Sequence, residues 1–100
     1  MSFTTSLLSA QIEGKIQDAT DNYPLEYATL ALYKQQDGTL VTGVITNIDG
    51  EFNIPNIKNG SYYIEASFLG YTTKTIRNIE IRKTQSTVNL GIILLVLGNQ

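Results

Sequence analysis

Phe52 and Ile54, then Tyr62, Ile64, Ala66 and Phe68, fall on every second position of the stretch Thr42 to Tyr71, TGVITNIDGEFNIPNIKNGSYYIEASFLGY. Period two is the repeat of an extended chain with one face turned to a core, because successive side chains of a strand leave on opposite sides. A packed helix needs apolar residues three and four apart, and no stretch of this chain sustains that spacing. Asp49-Gly50 and Asn59-Gly60 interrupt the alternation. Glycine accepts positive φ without a Cβ clash and Asp or Asn bonds its own backbone, so each dipeptide predicts a tight reversal between extended segments.

The flanking sequence supplies strands that complete a sandwich around this stretch. Ile12, Gly14 and Ile16 alternate with Glu13, Lys15 and Gln17, a first strand whose inward glycine leaves room for another backbone. Asp18 to Pro24 reads as a loop. A second strand runs from Tyr27 to Gln35, with Ala28, Leu30 and Leu32 on one face and Thr29, Ala31 and Tyr33 on the other, and Asp37-Gly38 turns the chain into a third, Leu40 to Thr46. Glu51 to Ile54 is the fourth, which Pro55 limits to an edge or an ending because proline donates nothing to a ladder. Ser61 to Leu69 is the fifth, broken by Gly70. Tyr71 to Ile76 continues in extended form to Arg77-Asn78, read as a bulge before Ile79 and Ile81. Lys83 to Gln85 is a polar turn, and the last strand takes Thr87 to about Leu97. Its apolar run, Ile92 to Leu97, is much shorter than the roughly 20 residues of a membrane-spanning helix. It reads as a strand buried on both faces, or one whose second face is covered by a segment downstream. Gly98-Asn99-Gln100 reads as the start of a linker. About seven short strands with turn signals between them make an all-β sandwich or barrel.

One hundred residues is a single small domain, able to bury roughly 60–70% of the surface of its unfolded chain without a disulfide or metal. The chain has no cysteine and no histidine. That removes the commonest zinc ligands, the usual general base, and every Ser-His or Cys-His nucleophilic pair, so neither a catalytic constellation nor a cofactor is expected. Seven basic against nine acidic residues leave a net charge of −2, with no basic patch denser than Arg77 to Lys83. Nucleic acid is therefore not an expected partner. The opening residues 1–10, MSFTTSLLSA, resemble the end of a secretory leader with a small-residue cleavage site after Ala10; the alternative is a polar N-terminal arm.

Taken together, Ile12-x-Gly14-x-Ile16-x-Asp18, Pro24-Leu25-x-x-Ala28-x-Leu30, Thr42-Gly43 through Thr46-x-x-Asp49-Gly50-x-Phe52, and Gly60-x-Tyr62-x-Ile64-x-Ala66-Ser67-Phe68-x-Gly70-Tyr71 resemble the carboxypeptidase regulatory-like domain. The resemblance spans residues 11–97. It is closest in kind to the version at the N-terminus of TonB-dependent receptors and related outer-membrane β-barrel proteins. It implies a seven-stranded, transthyretin-like Greek-key sandwich without catalytic activity, exported to the periplasmic face of the outer membrane. Its implied partner is the downstream plug and barrel of the same chain, or a periplasmic protein. The chain departs from the family pattern at Asn22-Tyr23 and at Asn56 to Asn59, which concerns loops. A transthyretin-like fold also raises ureide hydrolysis, but that chemistry resembles a histidine-dependent site.

Three sets of side chains are candidates for chemistry. Lys15, Glu65 and Asn89 resemble the isopeptide triad of B-type collagen-adhesin domains, yet each lies between inward-facing neighbours and is expected to point to solvent. Asp18, Asp21, Asp49 and Glu51 carry oxygens suited to calcium, but the set lacks a distant bidentate glutamate, and Asp-Gly between strands is first a hairpin turn. Tyr33 and Tyr63 fall on the outward parity of their strands, and Tyr71 closes the aromatic-Gly-Tyr ending. These three are the candidate ligand or partner contacts, for a protein or for a glycan face, against ordinary packing of half-exposed rings on a strand. The expected function is a non-catalytic interaction module of the cell envelope. The alternatives are a carbohydrate-binding sandwich and a structural spacer or adhesin-like domain.

Overall fold

A computed structural model describes residues 10–82 and 87–98. The leader reading for residues 1–9, the polar turn at Lys83 to Gln85 and the linker residues Asn99 and Gln100 lie outside the described residues. Seven strands form: β1 Ala10–Asp18, β2 Thr29–Lys34, β3 Leu40–Ile45, β4 Glu51–Ile57, β5 Gly60–Ser67, β6 Lys74–Ile81 and β7 Thr87–Leu95. They make two sheets, one in the order β4-β1-β7 and the other β3-β2-β5-β6. This is the all-β, transthyretin-like Greek-key sandwich. All neighbouring pairs are antiparallel except β1 and β7, which run parallel from Gln11 opposite Thr87 to Asp18 opposite Leu95.

The core is the inward set of alternate residues. Ile12, Ile16, Leu30, Leu32, Ile54, Ile64 and Leu95 are fully buried between the sheets, with Phe52, Tyr62, Ile79, Ile81 and Ile93 around them. Each such side chain contributes about 1.5–3 kcal/mol by leaving water, so alternation alone is enough to choose the face. Gly14 shows why its position stays free of a side chain: an added Cβ would lie 2.8 Å from Phe52 Cζ, the ring of its cross-strand partner. β1 opens at Ala10, one residue before Gln11, and the Ala10 methyl is buried opposite Ile57.

Turns form at both Asp-Gly pairs, but only Asp37-Gly38 closes a hairpin; Asp49-Gly50 carries the chain from one sheet to the other, so the hairpin read there is corrected. Gly38 and Gly50 adopt φ of 71° and 76°, and the Asp37 carboxylate accepts the Thr39 N–H at 3.0 Å. The bulge read at Arg77-Asn78 is present: Tyr62 pairs with Ile79 and Ile64 with Ile76, one residue against two, with Asn78 at φ 61°.

Three strand readings need correction. β2 begins at Thr29, and Tyr27 lies in a turn before it. β4 does not end at Pro55 but runs on to Ile57. It is an edge strand, and Ile12 opposite Ile54 with Ala10 opposite Ile57 leaves one extra residue in β4, so Pro55 and Asn56 (φ 59°) sit in a bulge where a missing N–H costs no ladder bond. The closing run is not buried on both faces. Ile93 and Leu95 face the core, whereas Ile92, Val96 and Leu97 are about three-fifths exposed, because β7 is the outer strand of a three-stranded sheet with nothing stacked on its outer face among the described residues.

Candidate interaction surface

Tyr33 and Tyr63 are cross-strand partners on the outer face of the four-stranded sheet. Their rings stack at 5.0 Å between centroids and 15° between planes, and the Arg77 guanidinium lies 5.2 Å from the Tyr63 centroid. Burial, then the Glu65 carboxylate, raises the Tyr33 phenol above its ordinary value. Both rings are half-buried and engaged with each other. Tyr71 lies elsewhere. Its hydroxyl donates to Asp18 Oδ2 at 2.6 Å and its ring packs at 5.6 Å from Phe68. Asp18 also accepts the N–H groups of Thr20 and Asp21 on Oδ1, at 2.6 and 3.1 Å. The Tyr71 hydroxyl first, and then these N–H groups, hold the Asp18 carboxyl below its ordinary value, and the carboxylate in turn raises Tyr71. The structure therefore brings Tyr33 and Tyr63 together and sets Tyr71 apart, as a clasp between the end of β1 and the β5–β6 connection.

Among the described residues no three His, Cys, Asp or Glu side chains form a group that could hold a metal ion. The oxygens of Asp18 are occupied as above. Asn47, not Asp49 or Glu51, organises the β3–β4 turn, its Oδ1 accepting the N–H groups of Asp49 and Glu51 at 3.0 and 2.9 Å. Lys15 and Asn89 project from the three-stranded sheet, where Asn89 donates to Glu13 at 3.4 Å, and Glu65 belongs to the other sheet. The three members of the isopeptide set do not meet.

The most exposed tyrosines are two others, Tyr23 (70%) and Tyr27 (65%). Tyr27 sits in a turn before β2 at φ 68°, a left-handed conformation that is rare for a bulky residue. Thr46, at the end of β3 and 1% exposed, holds that turn. Its hydroxyl donates to the Leu25 carbonyl at 2.6 Å and accepts the Ala28 N–H at 2.8 Å, its carbonyl accepts the Tyr27 N–H at 3.1 Å, and its N–H donates to the Ala28 carbonyl at 2.9 Å. Four hydrogen bonds from one residue thus fix the strained turn that carries Tyr27.

Tyr27 borders a groove of about 980 Å³ that crosses the outer face of the three-stranded sheet, from Ile92 over Lys15 and Glu51 to Ile45 and Ile48. Gly14 and Gly91 are part of its lining. Gly91, at φ 72°, occupies a bulge that Asn89 Oδ1 stabilises by accepting its N–H at 2.7 Å, and a Cβ there would meet nothing within 4 Å. The alternation pattern missed Tyr27 because Tyr27 to Gln35 reads as one strand; the signal available was Pro24 three residues before it, a turn-forming residue ahead of the strand.

Two sheets in the orders β4-β1-β7 and β3-β2-β5-β6, with a grooved outer face, define a transthyretin-like sandwich. The chain belongs to the carboxypeptidase regulatory-like domain family, whose model it matches over residues 11–94. Among solved structures it is similar to BcpA, the major pilin subunit of Bacillus cereus, at TM-score 0.70 and 18% identity over 90% of this chain and 30% of the pilin. It is also similar to the 5-hydroxyisourate hydrolase of Klebsiella pneumoniae, at TM-score 0.67 and 19% identity over 90% of this chain and 92% of the hydrolase. A chain from a type II cohesin-X-dockerin complex of Acetivibrio cellulolyticus matches at TM-score 0.68 and 21% identity, over 89% of this chain and 58% of its own length. At these identities the likeness is one of fold. No curated protein sequence matches the chain.

Proposed function

We propose that this chain is a non-catalytic interaction domain of an exported cell-envelope protein, placed at the periplasmic face of the outer membrane as the N-terminal domain of a TonB-dependent transporter or receptor. The observation that carries the interaction reading is the outer edge of β7. Among the described residues no strand pairs with its far side, and Ile92 stands exposed along it; just beyond it Val96 and Leu97 are exposed too, with their backbone tied to the β5–β6 connection by Thr72 N–H to the Val96 carbonyl at 2.9 Å and Gly98 N–H to the Gly70 carbonyl at 2.7 Å. Unpaired strand N–H and C=O groups beside apolar side chains suit pairing or docking by a plug, a barrel or a periplasmic protein. The envelope setting rests on the resemblance of the sequence to the version of the domain found at the N-terminus of outer-membrane receptors. The absence of histidine from the sequence speaks against hydrolysis of the kind the Klebsiella neighbour's name describes. Carbohydrate binding is the second reading, favoured by the exposed Tyr27 ring in one groove with Asn47, Asn53 and Glu51, and saturable binding of soluble glycans would carry it.

The test is the intact mass and N-terminal sequence of the native protein recovered from the envelope fraction. The expected species continues past Gln100 into a barrel. A free-standing chain that retains Met1 and ends at Gln100 would overturn the receptor reading.

A further inference from the structure

Four large apolar side chains border the groove on the outer face of the three-stranded sheet: Tyr27 (65% exposed), Ile45 (59%), Ile48 (70%) and Ile92 (59%). Exposed apolar side chains scattered singly are ordinary, but a contiguous set rimmed by polar groups marks a contact surface. The rim here is mostly acidic. Glu13, Glu26 and Glu51 line the groove against Lys15 alone, so three of the nine acidic and one of the seven basic residues lie there. Among the described residues the groove lining thus carries an excess of two negative charges. Asn47, Asn53 and Asn89 add amide groups between the carboxylates, and Gly91 leaves the floor open where a side chain would stand.

We propose that this groove docks a peptide segment of a partner protein that bears lysine or arginine between aliphatic residues. The aliphatic side chains would lie against Tyr27, Ile45 and Ile48, and the cations against Glu13, Glu26 and Glu51. The proposal rests on the interaction-module reading above and names the surface and the partner chemistry. Tyr27 is its anchor. A tyrosine held at positive φ costs folding free energy that a glycine would not, so Tyr27→Gly separates what the ring contacts from what its backbone costs.

The experiment is a ¹⁵N-labelled titration of the full chain with a capped octapeptide of alternating lysine and leucine, beside the same peptide with glutamate for lysine, and beside chitohexaose. The lysine peptide is expected to bind saturably and to shift the amides of Tyr27, Ile48 and Glu51, while the glutamate peptide does not bind. Raising sodium chloride from about 0.05 to about 0.5 M should weaken the complex about tenfold, since the Debye length shrinks below the span of the rim. Glu26→Lys with Glu51→Lys should weaken it by about tenfold or more through charge reversal. Tyr27→Gly should weaken binding while leaving the melting temperature equal to or above that of the parent, which separates an anchoring ring from a merely structural one. Equal binding of both peptides, unchanged binding by Tyr27→Gly, or shifts confined to the Tyr33–Tyr63 face or the β7 edge would overturn the proposal. Chitohexaose binding at the same amides without the lysine peptide would overturn it in favour of a sugar. The receptor reading falls separately, on the mass of the native envelope protein.

Discussion

Replacing Thr46 by valine keeps the side chain's shape and removes its hydroxyl. In the folded chain that hydroxyl is 2.6 Å from the Leu25 carbonyl and 2.8 Å from the Ala28 nitrogen, and both are its partners in a site that water does not reach. Valine therefore strands one buried donor and one buried acceptor. Each such orphan costs about 1–3 kcal/mol, so the pair amounts to about 2–4 kcal/mol once relaxation of the turn is allowed for. Against a total stability of about 5–15 kcal/mol, that is a large fraction, and it corresponds to a drop in Tm on the order of 10–25 °C for a domain of this size. Thr46→Ser makes the opposite change: it keeps both hydrogen bonds and loses a methyl group, for about 1 kcal/mol. Urea unfolding followed by circular dichroism measures both variants, with an unchanged slope as the check that only stability moved. The expected order is parent, serine, valine. Valine as stable as the parent, or serine the worse of the two, would refute the claim that the hydroxyl clamps the Leu25–Ala28 turn.

The remaining predictions concern packing and pH. Gly14→Ala should destabilise by about 1–3 kcal/mol through the contact with the Phe52 ring, and Phe52→Leu in the same chain should recover part of that loss in a urea titration. Asp18 has its folded pKa depressed from 3.8, so its contribution is complete above the unfolded value and is lost as pH falls through the folded one. Melting temperature should therefore fall below about pH 4 more steeply in the parent than in Asp18→Asn or Tyr71→Phe. Tyr71, raised from 10.0, acts at the other end: its contribution is complete below that value and is lost as pH rises through the folded one, and Tyr71→Phe should flatten this alkaline limb as well.

The residues show why some of this structure is legible in the chain and some is not. Ile12 and Ile16, Leu30 and Leu32, Ile54, Ile64 and Ala66 declare their face because period two is a local property, and Asp37-Gly38 and Asp49-Gly50 declare their turns because positive φ is a local cost. The course of β4 through Pro55 is less local: it depends on β4 being an edge and on a bulge opposite β1. Ile92 and Val96 look like core by composition, and they stand exposed because nothing among the described residues stacks on the outer face of their sheet. The candidate surface was the least legible part. Tyr27 continues the alternation of β2 on paper, yet Thr46, 19 positions later, pulls it into a turn. The bond from Tyr71 to Asp18 spans 53 positions, beyond the reach of any short-range pattern.

The parallel union of β1 with β7 also governs how the molecule comes into being. β1 is the middle of its sheet, but one of its two neighbours is the last strand made. Until residues 87–95 dock, the first strand has β4 on one flank and bare backbone on the other. Closing the sheet joins the first and the seventh strand, the kind of distant contact that slows sandwich folding to milliseconds or seconds. A chain in which residues 87–95 have not yet docked exposes Ile12 and Ile16 beside an unpaired edge, the kind of species that is prone to aggregate.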